Sequence, residues 1–419
     1  MAAAPGSSGR FVLTLIMPFP RLALLFLIPT LFAASIPKDN PEDVGMSSDR
    51  LRRIHEAMQR HIDAGEISGA VTLVARRGRL VHYEAHGLMD IESQRPMEKD
   101  AIFRIASMSK PITGVAVMLM LEEGKLRLTD PVSKFLPEFK DSKVAIPRGK
   151  PGEFYVVPAD RELTIRDLLT HTNGLMTGGP GSKAGPPRPA AGDTLATYIP
   201  RLATAPLDFQ PGTQWAYSGL AAPDTLSRIV EILSGQPYDE FLRTRIFDPL
   251  GMKDTFFYPP DGRRSRLVTL YSRGLVKAEN QDGFSLKTYF SGGGGLMSTA
   301  EDYLQFAQML LNGGELNGHR ILSPRTVELM SSNHVGDMFN GKLGRPAHGM
   351  GYGLLVGIVE DNVASGLRVS NGSFGWDGAY GTQTWIDPKE KLVTIVMIQT
   401  QIASVQRDFE NAVRQAILE

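Results

Sequence analysis

Residues 103–126 read FRIASMSKPITGVAVMLMLEEGKL, and the element this stretch forms decides the fold. Pro111 lacks a backbone N–H and fits only a helix's first turn, so a helix must begin beside Ser107 and Lys110. Ile112, Val115, Val117, Met118 and Leu121 make the rest apolar, so a buried helix is expected from Ser107 to Glu123, ended by Gly124. Positions three apart share a helix face, which brings the Ser107 hydroxyl to the Lys110 amine. The positive helix end favours negative charge developing at Ser107, and burial makes the Lys110 amine a usable base. The spacing alone is weak, because Ser35-Ile-Pro-Lys38 matches it too. In isolation, an N-cap serine and a surface lysine account for the pair better.

Outward from this helix, AVTLVAR (70–76) and RLVHYEAHG (79–87) flank Arg77-Gly78 and read as a hairpin. GTQTWIDP (381–388) and LVTIVMIQ (392–399), joined across a turn with Pro388, read as another. A helix over 48–64, with Ser48 as N-cap, precedes the first hairpin, and one over about 405–418 follows the second. Shorter helices are expected at 162–175, stopped by Asn173-Gly174, at 223–234 and at 300–311, the last capped by Ser298 or Thr299. The Gly/Pro-rich run 177–192 reads as loop. Strands at both ends with helices between predict an α+β fold: one antiparallel sheet from both termini, flanked by helices, plus an inserted helical lobe. We expect a leader over 1–35 and one catalytic unit over 36–419. Its sheet lobe is 36–100 and 290–419, and its mainly helical lobe 101–289.

The leader reading rests on LALLFLIPTLFAA (22–34), which has the length of a signal-peptide apolar region and follows Arg21. Met17 opens a more compact version of it. Export to the periplasm or medium is expected, with no stable membrane anchor after cleavage. Lys+Arg and Asp+Glu both number 45, so no net field attracts nucleic acid or anionic lipid. With Cys 0, disulfides, thiolate catalysis and cysteine metal sites are excluded. Oligomeric state is not legible.

Two further segments supply chemistry. PGTQWAYSGL (211–220) offers Tyr217, whose phenol could relay protons. NGSFGWDGAYGTQTWIDP (371–388) sets Trp376-Asp377-Gly378 before a strand, and its glycines permit close backbone approach to a substrate. The amides of Ser107 and Ala379 could together form an oxyanion hole. A core tyrosine and a glycine-rich turn are the plainer readings of these segments. The eight histidines include no H-E-x-x-H pair, no G-x-S-x-G exists, and Gly292 to Gly295 is not followed by Gly-Lys-Ser/Thr. His171 reads as structural. The glycine run either passes close to the site or is a plain flexible loop.

FRIASMSK, LLTHTNGL, PGTQWAYS, SGQPYDEFLRTRIFDPLGM, GGGGLMSTAEDYLQFAQMLLNGG and FGWDGAYGTQTWIDP occur in this order, and together they resemble the serine β-lactamase-related hydrolases. The nearest branches are similar to class C β-lactamases and family VIII carboxylesterases. The resemblance covers roughly residues 40–419. It implies the penicillin-binding-protein fold, Ser107 as acylated nucleophile, Lys110 as its base and Tyr217 as catalytic tyrosine. It places Trp376-Asp377-Gly378, as substrate-binding residues, where lactamases carry Lys-Thr-Gly. Gly219 replaces the expected Asn and Trp376 the expected Lys, so a substrate carboxylate lacks its partner. Short-chain carboxylic esters are therefore favoured over β-lactams, D-amino-acid peptides or acyl transfer. Asp377 is puzzling, because a carboxylate there opposes an oxyanion unless it is held in a structural hydrogen bond. Neither a metal nor an organic cofactor is needed.

Overall fold

A computed structural model describes residues 36–419 apart from Pro151 and Ser285, with Gly6 and Gly9 besides. The expected leader otherwise lies outside the described residues.

The first helix, α1 (Ser48–Asp63), presents Leu51, Ile54, Ala57 and Met58 to the interior. Its N-cap is Ser47, not Ser48: Ser47 is extended and its hydroxyl accepts the Arg50 N–H at 3.2 Å. Strands β1 (Gly69–Arg76) and β2 (Arg79–Asp90) form the predicted hairpin, and β3 (Arg95–Pro96) extends it. Near the other terminus come β4 (Met350–Tyr352), β5 (Gly357–Val359), β6 (Phe374–Asp377), β7 (Gln383–Asp387) and β8 (Leu392–Met397). All eight make one antiparallel sheet in the order β4-β5-β6-β7-β8-β1-β2-β3. The termini meet where β1 pairs β8, with Val71 opposite Met397. This is the α+β sheet the two hairpins imply.

Side-chain alternation gives the sheet two apolar faces. Ala70 and Val74 of β1 pack with α1 and with α6 (Ala403–Arg414). Val71, Leu73 and Ala75 face the larger core, which contains α2 (Ser109–Glu122) and α5 (Ala300–Leu311). That core continues without a break through Leu168 of α3 (Ile165–Thr170) and Leu226 and Ile229 of α4 (Ala221–Ser234). Ile112 and Val115 of α2 are fully buried there, where truncation to alanine or similar loss costs about 2–5 kcal/mol.

Several boundaries differ from expectation for physical reasons. The α-helical part of α2 starts at Ser109, after a single 3₁₀ turn over Ala106–Met108: Pro111 has no N–H to give the Ser107 carbonyl, and Ala106, at φ 45°, cannot carry the helix further back. His171, not Asn173-Gly174, ends α3: it adopts φ 56°, and its N–H returns to the Asp167 carbonyl. The run 177–192 is not all loop. Pro180–Lys183 form one helical turn, tied down where Asp208 accepts the Gly179 and Ser182 N–H groups. Helix α6 stops at Arg414, before the expected 418, since Leu418 N–H donates to Gly45 and Ile417 bridges to Met46. Thr299 caps α5, accepting the Asp302 N–H at 3.1 Å. Among the described residues no helix is long and apolar enough to cross a membrane.

Candidate active site

The left-handed Ala106 sits just before Ser107, a position where non-glycine residues are strained. Surroundings hold the turn in place. Ser109 Oγ donates to the Ala106 carbonyl at 2.7 Å and accepts the Leu296 N–H at 3.2 Å. Met108 N–H returns to Ile105, while Ile105 N–H donates to Leu296. Ser107 is left half-buried at the start of α2.

Lys110, fully buried, donates from Nζ to Ser107 Oγ at 3.0 Å and to the Gly293 carbonyl at 2.6 Å. The glycine run is therefore a close approach, not a free loop. A Cβ on Gly292 would lie 2.1 Å from Ser227 Oγ and 2.6 Å from Thr113 Oγ1. The loop is gripped by Asp224, a buried α4 carboxylate. It accepts Gly293 N–H at 2.9 Å, Ser291 Oγ at 2.7 Å and Tyr289 OH at 2.8 Å. Burial raises the Asp224 carboxyl to about 6, although its donors and the charge of Lys110 pull the other way.

Tyr217 completes a third side. Its ring centroid lies 4.9 Å from Lys110 Nζ, and its hydroxyl accepts the Trp376 indole N–H at 3.3 Å. The ring is wedged among aromatics, 4.8 Å from His171, 6.1 Å from Trp215 and 5.9 Å from Trp376, centroid to centroid. His171 is buried, and its Nδ1 accepts the Ser218 N–H at 3.3 Å. Burial, aided by the nearby Lys110 charge, holds that imidazole well below its ordinary pKa, so it is neutral.

Gly378 brings the end of β6 against the Ser107 turn. A Cβ there would meet the Ile105 carbonyl at 2.4 Å, so no side chain is accommodated. Thr382 Oγ1 donates to the same carbonyl at 3.3 Å. Gly378 N–H is taken by Thr382 O at 2.7 Å. Ala379 is exposed and borders a cavity of ≈ 400 Å³ with Leu270, Tyr271 and Tyr380. Trp376 is buried against Tyr217, Phe339 and Tyr352. Asp377 accepts Arg345 Nη2 at 2.7 Å, and the Arg345 guanidinium lies 5.3 Å from the Trp376 ring centre.

The structure thus gathers Ser107, Lys110, Tyr217, Trp376, Asp377, Gly378 and Ala379 around one turn. An amine on a serine hydroxyl, with a tyrosine beside it, can shuttle protons during nucleophilic attack. Sequence reasoning missed Asp224 and Arg345. Asp224 in APDTLS reads as an ordinary helix carboxylate, and Arg345 is a lone cation in an irregular segment. Neither carries a local signal.

Both the sheet order and the Ser-Lys helix start mark a β-lactamase-type serine hydrolase. The chain belongs to that family: the Beta-lactamase family model matches residues 54–418. Protein Rv1367c of Mycobacterium tuberculosis is 38% identical over 353 residues, 80% of this chain and 87% of that protein. Esterase EstB of Burkholderia gladioli is 30% identical over 380 residues, 83% and 90% of the two chains. Among solved structures, EstCE1, described as a hydrolase with promiscuous acyltransferase activity, superposes with TM-score 0.73 at 29% identity, covering 88% of this chain and 99% of its own.

Proposed function

We propose that the chain hydrolyses short-chain carboxylic esters through an acyl-enzyme on Ser107. The observation that carries this reading is the Lys110 amine, buried and aimed at Ser107 Oγ from 3.0 Å. In its neutral form Lys110 takes the serine proton as Oγ bonds to the ester carbonyl carbon. The carbonyl oxygen becomes an oxyanion between the Ser107 and Ala379 N–H groups. As the C–O bond to the leaving alcohol breaks, a proton reaches that oxygen through Tyr217. Water then attacks the acyl carbon by the reverse route, releasing acid and restoring the Ser107 hydroxyl.

An uncharged ester suits the site because Arg345, the cation beside Trp376, is already paired with Asp377. The same contact turns Asp377 toward Arg345, which answers the objection that a carboxylate would oppose the oxyanion. Similarity to Esterase EstB supports ester chemistry. A second reading, acyl transfer to an alcohol, draws support from the likeness to EstCE1, since water and alcohols compete for one acyl-enzyme. β-Lactam turnover is disfavoured by Gly219 and Trp376.

A p-nitrophenyl ester series beside nitrocefin, on wild type and Ser107→Ala, tests the assignment. Ester hydrolysis unchanged in the variant refutes it, and nitrocefin turnover matching that of a butyrate ester overturns the preference for esters. Export is inferred from the apolar run 22–34. A secreted form whose N-terminal sequence begins at Met1 or Met17 would refute leader cleavage.

A further inference from the structure

On the sheet face opposite the larger core, β2 carries His82, Glu84 and His86 at alternate positions, so all three point the same way. Thr72 of β1 sits directly across from Glu84. His55, on the flank of α1, reaches the same place: its Nδ1 is 2.6 Å from Glu84 Oε1, and its ring lies 5.5 Å from that of His86. One ligand atom from each of His55, Glu84 and His86 lies within 4.8 Å of the others.

The decisive atom is His86 Nδ1. The His86 side chain is 0% exposed, yet Nδ1 has no hydrogen-bond partner and faces Glu84 Oε1 from 3.9 Å. Its other nitrogen, Nε2, is 2.8 Å from Thr72 Oγ1, which also lies 2.7 Å from His82 Nε2. One hydroxyl has one proton to give. If Thr72 donates to His82, it accepts from His86 Nε2–H, which leaves a bare lone pair on His86 Nδ1 aimed at the cluster. A ring that donates from one nitrogen and offers the other is the arrangement of a metal-bound histidine.

We propose that His55, Glu84 and His86 form a binding site for a divalent transition cation of the zinc type, clamping α1 to β2. Two imidazoles and one carboxylate are the donor set such ions prefer over magnesium or calcium. Around a tetrahedral zinc, neighbouring ligand atoms sit about 3.4 Å apart. Reaching that spacing means opening the His55–Glu84 contact from 2.6 Å, closing the His86–Glu84 gap from 3.9 Å and drawing together ligand atoms up to 4.8 Å apart, with the exposed His55 side chain the one free to move. The ion displaces the proton shared between His55 and Glu84. Exposure of the His55 side chain (55%) and that of Glu84 (36%) provides an entry path and room for water as fourth ligand.

The test is calorimetric titration of Zn²⁺ into the chelator-stripped full chain, with ester hydrolysis and thermal melting as folding controls. One Zn²⁺ per chain is expected, bound roughly tenfold or more weakly by His55→Ala and by Glu84→Gln. Both replaced residues are partly exposed, so these variants should fold. Thr72→Val, which touches no ion, should also weaken binding roughly tenfold by freeing the His86 tautomer. No saturable binding at millimolar Zn²⁺ overturns the proposal. So does binding of unchanged affinity and stoichiometry in both His55→Ala and Glu84→Gln.

Discussion

Arg345 Nη2 donates to Asp377 Oδ1 at 2.7 Å while its guanidinium rests beside the Trp376 ring. The pair is anchored on the Trp376-Asp377-Gly378 segment at the end of β6. Here the cation is supplied from the chain before β4, and a neighbouring carboxylate neutralises it. With side-chain exposures of 15% and 32% the pair is partly buried, so its attraction is set against the cost of drying both charges.

That balance predicts a specificity switch. Asp377→Asn leaves Arg345 without its counter-ion on the aromatic shelf, free to pair with an anionic acyl chain. KM for a hemisuccinate ester should fall roughly fivefold, about 1 kcal/mol, while KM for a butyrate ester stays put. Parallel steady-state kinetics on the two esters checks this. Equal changes for both would mean that Arg345 does not face the acyl group.

Removing the proposed nucleophile should separate activity from stability. Ser107 Oγ is bonded to Lys110, which keeps its second bond to Gly293 when the hydroxyl is lost. Ser107→Ala should therefore cost roughly 10⁴-fold or more in kcat yet change stability by about 0.5 kcal/mol at most. Tyr217→Phe should cost roughly 10²- to 10⁴-fold, with the Trp376 indole N–H left without its acceptor. Activity assays beside thermal melts read both effects.

The hairpins were legible because their signals are local: alternating β-rich runs meet at Arg77-Gly78 and at the Pro388 turn. Their joining through β1 and β8 followed from having strands at both ends and helices between. The Ser107–Lys110 contact was legible because Pro111 fixes where a helix can start. Asp224, Arg345 and the ring cluster around Tyr217 were not, because each depends on partners far away in sequence. Asp224 meets Tyr289, Ser291 and Gly293; Arg345 meets Asp377; His171 meets Tyr352. His171 also shows a local rule overridden. Asn-Gly is the stronger helix stop, but buried contacts to Trp215 and Tyr217 hold His171 in the left-handed conformation first.

Close packing of the glycine run yields a third expectation. A methyl group on Gly292 would meet Ser227 Oγ at 2.1 Å, and both flanking elements are buried. Gly292→Ala must push the loop away from α4 and carry the Gly293 carbonyl off Lys110. A loss of about 2–4 kcal/mol is expected, together with lower kcat, by chemical denaturation and ester assay. Gly292→Ala/Ser227→Ala should recover part of both; no recovery would place the strain elsewhere.

Asp224 gives the loop behind Lys110 a titration of its own. Its folded-state pKa, raised to about 6, lies above the ordinary carboxyl value of 3.8. Between these values Asp224 holds more of a proton in the folded chain than in the unfolded one, so its own contribution to stability falls as pH rises through about 4 to 6. The full cost of ionising this buried group is about 3 kcal/mol. Activity should run the opposite way. Three donors, from Tyr289, Ser291 and Gly293, all point at the carboxylate, and a proton on it removes the negative charge that strengthens all three bonds. The loop that carries the Gly293 carbonyl then loosens its hold on Lys110. The rate of ester hydrolysis should thus drop on the acid side with an apparent pKa near 6, in the range where protonation of Asp224 itself favours the fold. Asp224→Asn removes that titration, and its amide can satisfy fewer of the three donors. It should lower kcat at pH 8 and flatten the acid limb near pH 6. An unaltered acid limb in Asp224→Asn would assign the ionisation to another group.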